Sequence, residues 1–432
     1  MRTYLHHVRG FGRDIKLFLL YSFLANIGFG VSQLIFNLYL YALNLREDFI
    51  GAFNAVQTLS MAGTAMALGF LLNRFGTWRC ITGGVCIFLA ASFSLALAEW
   101  PPLLLVLAGF SGVGLAFLFT ATMPFIIEWA KPEQRPEVAA LSFSLISLAA
   151  TLGALIGGFV PAWLSAAVPA IERGSPEAFR ATLIAGTLVG TFGLLPLFSM
   201  GDARARRRAA EHLAAPAGEP AAIRRRAKTD KIVFVLIGGL MSLGAGMVMP
   251  FYNVFLTTLG ASARQVGYVY ALGGLSAAVI GLMAPAVARR MGSLRAVVML
   301  RLVVVPFYAL LIVWPVYGVA VLAHLARQTS ISMAWPIDST FIAEVLPARD
   351  RASVFGWRSA AWNLGFSAAS FTGGIVIVRS GYAWTFVSLI VFSTLAASSF
   401  ITYFGRHPLI RSGDIPSALP RPSRRKAVGG TP

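Results

Sequence analysis

The sequence predicts an all-α membrane protein with twelve transmembrane helices in two six-helix bundles related by an internal repeat. Three observations carry that prediction. Apolar segments of membrane-spanning length recur along all 432 residues, basic residues gather on alternate connections, and one half superimposes on the other at a constant offset. With 57% hydrophobic and only 12% charged residues, and a mean hydropathy of +0.73, the chain lacks the polar surface that a water-soluble protein of this length needs.

Segmenting by apolar length gives spans near 17–43, 49–72, 80–99, 102–127, 138–164 and 181–200, then near 232–259, 265–288, 296–315, 317–345, 353–378 and 382–404. The run after the basic start, Met1 to Lys16, exceeds a signal-peptide core and has no small-residue cleavage site, so it reads as a retained first helix. The expected organisation is a first bundle over 1–200, a basic cytoplasmic linker over 201–231, a second bundle over 232–405 and a disordered cytoplasmic tail over 406–432.

Charge supports an orientation with both termini and the linker in the cytoplasm, in an inner (plasma) membrane. Of 36 Lys and Arg, five (Arg46, Arg173, Arg180, Arg264, Arg379) fall on outer loops, Arg301 and Arg327 fall inside spans, and 29 remain on the cytoplasmic side, Arg358 at its rim. The net charge of +19 is scattered over short connections and tails, which fits anionic lipid headgroups rather than nucleic acid. Cys80 and Cys86 point to different faces of one helix, and no Cys/His metal spacing occurs, so no cofactor or metal is expected.

A shift of 216 residues lays the second half on the first without a gap. Gly28, Gly30, Asn37 and Leu40 meet Gly244, Gly246, Asn253 and Leu256. Gly51, Arg74, Gly76 and Arg79 meet Gly267, Arg290, Gly292 and Arg295, while Glu128, Arg135 and Gly157-Gly158 meet Glu344, Arg351 and Gly373-Gly374. Six spans per half give both copies the same membrane orientation.

These residues resemble the major facilitator superfamily over essentially the whole chain. GFLLNRFGTWR, Gly69 to Arg79, is similar to that family's G-x-L-x-D-R-x-G-R-R motif, with Asn73 in place of the usual Asp and with Arg74 and Gly76 kept. FIAEVLPARDR (341–351) resembles its E-x-x-P-x-x-x-R segment, and FIIEWAKPEQRPE (125–137) is the counterpart with proline one place later. The resemblance implies a gate at the cytoplasmic rim from Gly69, Asn73, Arg74, Gly76, Glu128, Arg135, Glu344 and Arg351; the alternative is surface ion pairs and helix caps. GALIGG (153–158) partly resembles an exporter motif, with Ala154 where that motif has proline.

A charge at bilayer depth costs at least roughly 2.5–3.5 kcal/mol on insertion scales, so it faces a cavity or a partner. The tenth span places His324, Arg327, Gln328, Trp335 and Asp338 on one helical face, while the matching places in the fourth span are Ala108, Ser111, Gly112, Phe119 and Thr122. No acidic residue stands at the depth of Arg327, so an anionic group on the substrate is expected there; the alternative is carbonyls, water or Asn side chains. Asp338 is either a proton carrier or a rim residue paired with Arg358 or a loop Arg. Asn26, Gln33 and Asn37 on the first span and Asn253 on the seventh complete the expected cavity lining, or else bond between helices, which for Asn37 and Asn253 is the better reading. Trp357, Trp362, Tyr268 and Tyr270 read as packing or interface residues.

The function expected is secondary transport of a small solute by a monomer through alternating access, driven by an ion gradient, protons being one candidate, or by the solute's own gradient. The partial GALIGG match leans towards export. A Walker-type loop is missing, so no ATP motor is expected. The alternatives are multidrug-type efflux of neutral or cationic amphiphiles, a membrane enzyme and a transporter-like sensor. With His6, His7, His212 and His407 in tails or linker, His324 stands alone, which argues against an enzyme. No filter-like repeat suggests a channel.

Overall fold

The computed structural model describes residues 11–131, 134–200 and 221–411, which fold into helices without a strand among them. In the first half these are α1 (Arg13–Ala42), α2 (Glu47–Phe75), α3 (Thr77–Leu97), α4 (Pro101–Thr120) continued by α5 (Thr122–Trp129), α6 (Arg135–Ala167), and α7 (Pro176–Phe192) continued by α8 (Leu194–Phe198). In the second half α9 (Ala221–Val248) runs through a 3-10 turn into α10 (Tyr252–Thr258), followed by α11 (Ala263–Gly281) and α12 (Ala284–Met291). Next come α13 (Ser293–Leu302), α14 (Val304–Val313), α15 (Tyr317–Val345), α16 (Ala348–Ser380), α17 (Ala383–Phe404) and the short α18 (Pro408–Arg411).

Ten helical spans among the described residues are long and apolar enough to cross a membrane, and α11 with α12, bent by 50°, makes an eleventh. The predicted tenth span, α15, is a continuous helix of 29 residues, about 44 Å at 1.5 Å per residue. It has the length to cross, but its polar residues leave it outside that count. The breaks have local causes: Pro250 and Pro285, early in the segments that follow, lack the N–H that would continue the helical ladder. Gly76 and Gly292, which are repeat mates, end α2 and α12 at φ of 82° and 80°, where a side chain would be strained.

Two boundaries differ from the expected ones. The stretch expected as linker is already helical from Ala221, and the stretch expected as tail is folded as far as Arg411. Buried polar contacts explain both: Tyr403 donates to Asp230 at 2.7 Å, and the imidazole of His407, almost fully buried, lies 3.4 Å from the same carboxylate. The rest of the linker and tail, with the N-terminal residues 1–10, lies outside the described residues.

The helices define two faces. On the terminus face Trp78, starting α3, donates to Leu197 O at the end of α8, and Lys231, three turns into α9, pairs with Asp350 at the start of α16. On the opposite face, here the loop face, Tyr39 near the end of α1 donates to Ala96 O and Ala98 O where α3 ends. One apolar core holds first-half residues alone (Phe18, Phe125, Leu197) and another holds second-half residues alone (Phe234, Phe341, Phe400). A third mixes Leu34, Leu38 and Phe53 with Val248, Phe251 and Tyr252 towards the loop face. Burial of shared apolar surface therefore joins the halves at that end.

Candidate functional site

The closed end of the molecule is built twice by the repeat. Asn37 Nδ2 donates to Pro250 O at 2.6 Å, and Asn253 Nδ2 donates to Leu34 O at 2.7 Å. Donors and acceptors are both related by the same 216-residue shift, so each half places an amide on a backbone carbonyl of the other. Glycine crossings repeat in the same way. A Cβ on Gly51 would stand 3.2 Å from Gly374 Cα, and one on Gly158 would stand 2.9 Å from Gly267 Cα. Only glycine lets these backbones approach so closely. Nearby, the buried Glu47 of the first half accepts from Tyr382 Oη of the second at 2.7 Å.

Towards the terminus face the same helices part. Gly63, Gly69 and Gly356 have nothing within 4 Å of a built Cβ, and Met66 and Leu282 are 79% and 82% exposed. Two of the expected rim residues bond within their own halves. Arg135 Nε donates to Ala130 O at 3.4 Å and its mate Arg351 donates to Leu346 O at 3.1 Å, two equivalent helix-end caps. Arg74 is exposed over the neighbouring Phe75 ring, Gly76 ends α2, and Glu128 and Glu344 lie near the ends of α5 and α15. The side chain of Asn73 lies outside the described residues.

Between the closed and open ends lies a cavity of about 410 Å³, within the range of small-molecule sites. Of the residues expected from sequence, Gln33, Asn37, Asn253, His324, Arg327 and Gln328 line it. Asn26 does not: it is buried and donates to Ser22 O of its own helix at 2.7 Å. Trp335 does not either. It lies two turns beyond Gln328 towards the terminus face, exposed, with Arg358 over its ring at 5.7 Å.

Arg327 is buried on α15 and meets no carboxylate within 4 Å among the described residues. Its guanidinium donates to His324 Nδ1 at 3.3 Å and stands 5.7 Å over the Tyr252 ring, while Nε and one terminal nitrogen have no hydrogen-bond partner. His324 is fully buried, its ring tilted by 43° against Tyr270 at 4.6 Å between ring centres. It fits because Gly273 faces it: a Cβ there would come within 2.7 Å of Nε2. The site is thus a cation with unspent donors, set in an aromatic and amide-lined cavity.

Asp338 is no lone carboxylate. It is buried between Arg301, 3.3 Å from Oδ1, and Arg358, which bonds Oδ2. The ion-pair reading with Arg358 holds, but the pair lies inside the protein and not at the rim, with Arg301 as a second partner. Oδ2 accepts a hydrogen bond from Arg358 and Oδ1 faces Arg301 at ion-pair distance, which is the compensation that buried charges need.

Sequence reasoning missed Asn54 and Tyr270, both lining the cavity. They are repeat mates, so the offset that paired Asn37 with Asn253 would have found them.

Two halves joined at one end around a central polar cavity are the arrangement of a membrane transporter that works by alternating access. The model of the Major Facilitator Superfamily matches residues 18–326, and the chain belongs to that family. The nucleoside transporter NupG superimposes with a TM-score of 0.72 at 13% identity, covering 92% of this chain and all of that one. An inward-open structure of the xylose transporter XylE from E. coli gives 0.69 at 15% identity, covering 90% and 96%. At such identities these likenesses establish the fold alone. The quinolone resistance protein NorA of Staphylococcus aureus (strain MRSA252) is 28% identical over 150 residues, 34% of this chain and 38% of that protein. An uncharacterised membrane protein of Saccharomyces cerevisiae, YJR124C, is 29% identical over 154 residues, 34% of each chain. The matches to these relatives thus span little more than a third of their length.

Proposed function

We propose that this protein is a secondary transporter of a small organic anion, with Arg327 as the counter-charge of the substrate. The observation that carries the reading is the buried Arg327, which has unspent donors and no carboxylate at the wall of the central cavity. An uncompensated cation at mid-membrane costs free energy that a bound anion would offset. Gln33 from the first half and Gln328 from the second would hydrogen-bond the rest of the solute, and His324 and Tyr252 hold the guanidinium in place.

The orientation we propose puts the terminus face in the cytoplasm of a plasma membrane, because the outer loops carry few of the basic residues. In that orientation the cavity opens inward. Closing the rim, with Gly69–Gly76 and the Glu128–Arg135 and Glu344–Arg351 segments brought together, would then accompany opening of the loop face. We propose export by a monomer driven by an ion gradient, with protons as the first ion to try. The partial GALIGG match and the similarity to a quinolone resistance protein support that direction.

The test is flux into and out of proteoliposomes under an imposed pH gradient, with matched anionic, neutral and cationic solutes. Arg327→Gln should lose the anion flux selectively while remaining folded. A second reading, efflux of neutral or cationic amphiphiles, draws on the same resistance-protein similarity. It predicts flux of those solutes that is unchanged in Arg327→Gln.

A further inference from the structure

A second cavity, of about 770 Å³, lies at the loop face and is larger than the central one. Its walls come from both halves: Leu38 of α1, Phe159 and Trp163 of α6, and Phe179 of α7 on one side, Thr257 of α10 and Ala261 in the loop before α11 on the other. Two guanidiniums, Arg173 in the turn before α7 and Arg264 in the first turn of α11, complete the lining, one from each half. Neither forms an ion pair among the described residues. Phe159 and Trp163 are 42% and 68% exposed, a large apolar surface for a region next to charged groups.

This arrangement has the polarity of an amphiphile: an aromatic and aliphatic trough running along a membrane helix, with two cations at its outer end. A tryptophan near the end of a span sits where headgroups begin. A free inorganic anion would leave the trough unfilled, and an uncharged lipid would leave the cations without partners. Charge complementarity and exposed apolar wall together select one occupant. We propose that the cleft binds an anionic phospholipid of the loop-face leaflet, its phosphate at Arg173 and Arg264 and an acyl chain along Phe159 and Trp163.

Because the two walls belong to different halves, the lipid makes all its contacts only while the loop face is closed. Opening that face separates Phe159 and Trp163 from Thr257 and Ala261. A ligand with that differential affinity shifts the population towards the closed state, whatever the central cavity carries. Anionic lipid therefore acts as a brake on loop-face opening.

The experiment uses the full chain in nanodiscs of phosphatidylcholine alone or with added phosphatidylglycerol. Spin labels are placed at Trp100→Cys and Val316→Cys, repeat mates exposed on the loop face, with Cys80 and Cys86 replaced by serine. Phosphatidylglycerol should move the distance distribution towards its shorter component, and native mass spectrometry should show retained anionic lipid. In Arg173→Gln/Arg264→Gln retention should fall about 5-fold for each arginine removed. The lipid-dependent shift should disappear in that variant and return in Arg173→Lys/Arg264→Lys. Equal retention and an equal shift in the Gln variant would overturn the proposal. So would the same shift produced by inorganic phosphate without anionic lipid.

Discussion

The two halves share a backbone plan and differ in what they bury. Asn37 and Asn253 do the same work, as do Gly51 and Gly267, Gly158 and Gly374, and Arg135 and Arg351. Arg327 and Asp338 have no counterparts: the fourth-span residues at their places are Ser111 and Thr122. Symmetric residues close the molecule or cap its helices, since an opening motion about a pseudo-two-fold axis needs matching contacts on both sides. Asymmetric residues carry charge into the membrane, and one half is enough for that. The second half therefore pays for chemistry that the first half does not share.

The most damaging change to the asymmetric set should be Asp338→Asn. It leaves Arg301 and Arg358 buried without their carboxylate, a loss of about 3–5 kcal/mol of stability. Thermal unfolding in detergent should show a large drop in Tm. A normal Tm with altered pH-dependence of flux would instead make Asp338 the proton carrier.

A smaller effect tests the symmetric set. Gly51→Val should force the halves apart at the loop face, costing about 1–3 kcal/mol in the closed state, whereas Gly63→Val points into open space and should be neutral. The distance between labels at positions 100 and 316 distinguishes them: longer for the first, unchanged for the second. The amides come next. Asn37→Ala and Asn253→Ala should each weaken closure by about 1 kcal/mol, and by equal amounts if the repeat holds. Unequal shifts in that distance would break the symmetry argument at its centre. Smallest should be Arg135→Ala and Arg351→Ala, exposed or half-buried helix caps worth a few tenths to about 1 kcal/mol, read as matched small changes in Tm.

How much of this was legible before the fold depends on the range of the interaction. Span positions, the repeat and the polar face of α15 follow from periodicity and offset, which are local. The offset paired Asn37 with Asn253, but not the reciprocal carbonyls of Leu34 and Pro250, because those contacts exist only once the two halves are packed together. Arg301 could be placed inside a span but not beside Asp338, 37 residues away on another helix. His407 read as tail, since nothing local reveals that Asp230 waits for it across the bundle. Trp335 shares the stripe of Arg327, yet a stripe 29 residues long runs past the cavity and out to the open end.

The central claim is that Arg327 holds an anionic group in the cavity. The most direct measurement is ligand-induced stabilisation of the purified protein, with matched anionic, neutral and cationic members of one solute series. An anion at about 100 times its Kd should stabilise wild type by roughly 2.7 kcal/mol, seen as a rise in Tm. Loss of the charge partner in Arg327→Gln should weaken binding about 30-fold or more and erase most of that rise. Stabilisation by neutral or cationic members, equal in wild type and Arg327→Gln, would contradict the account.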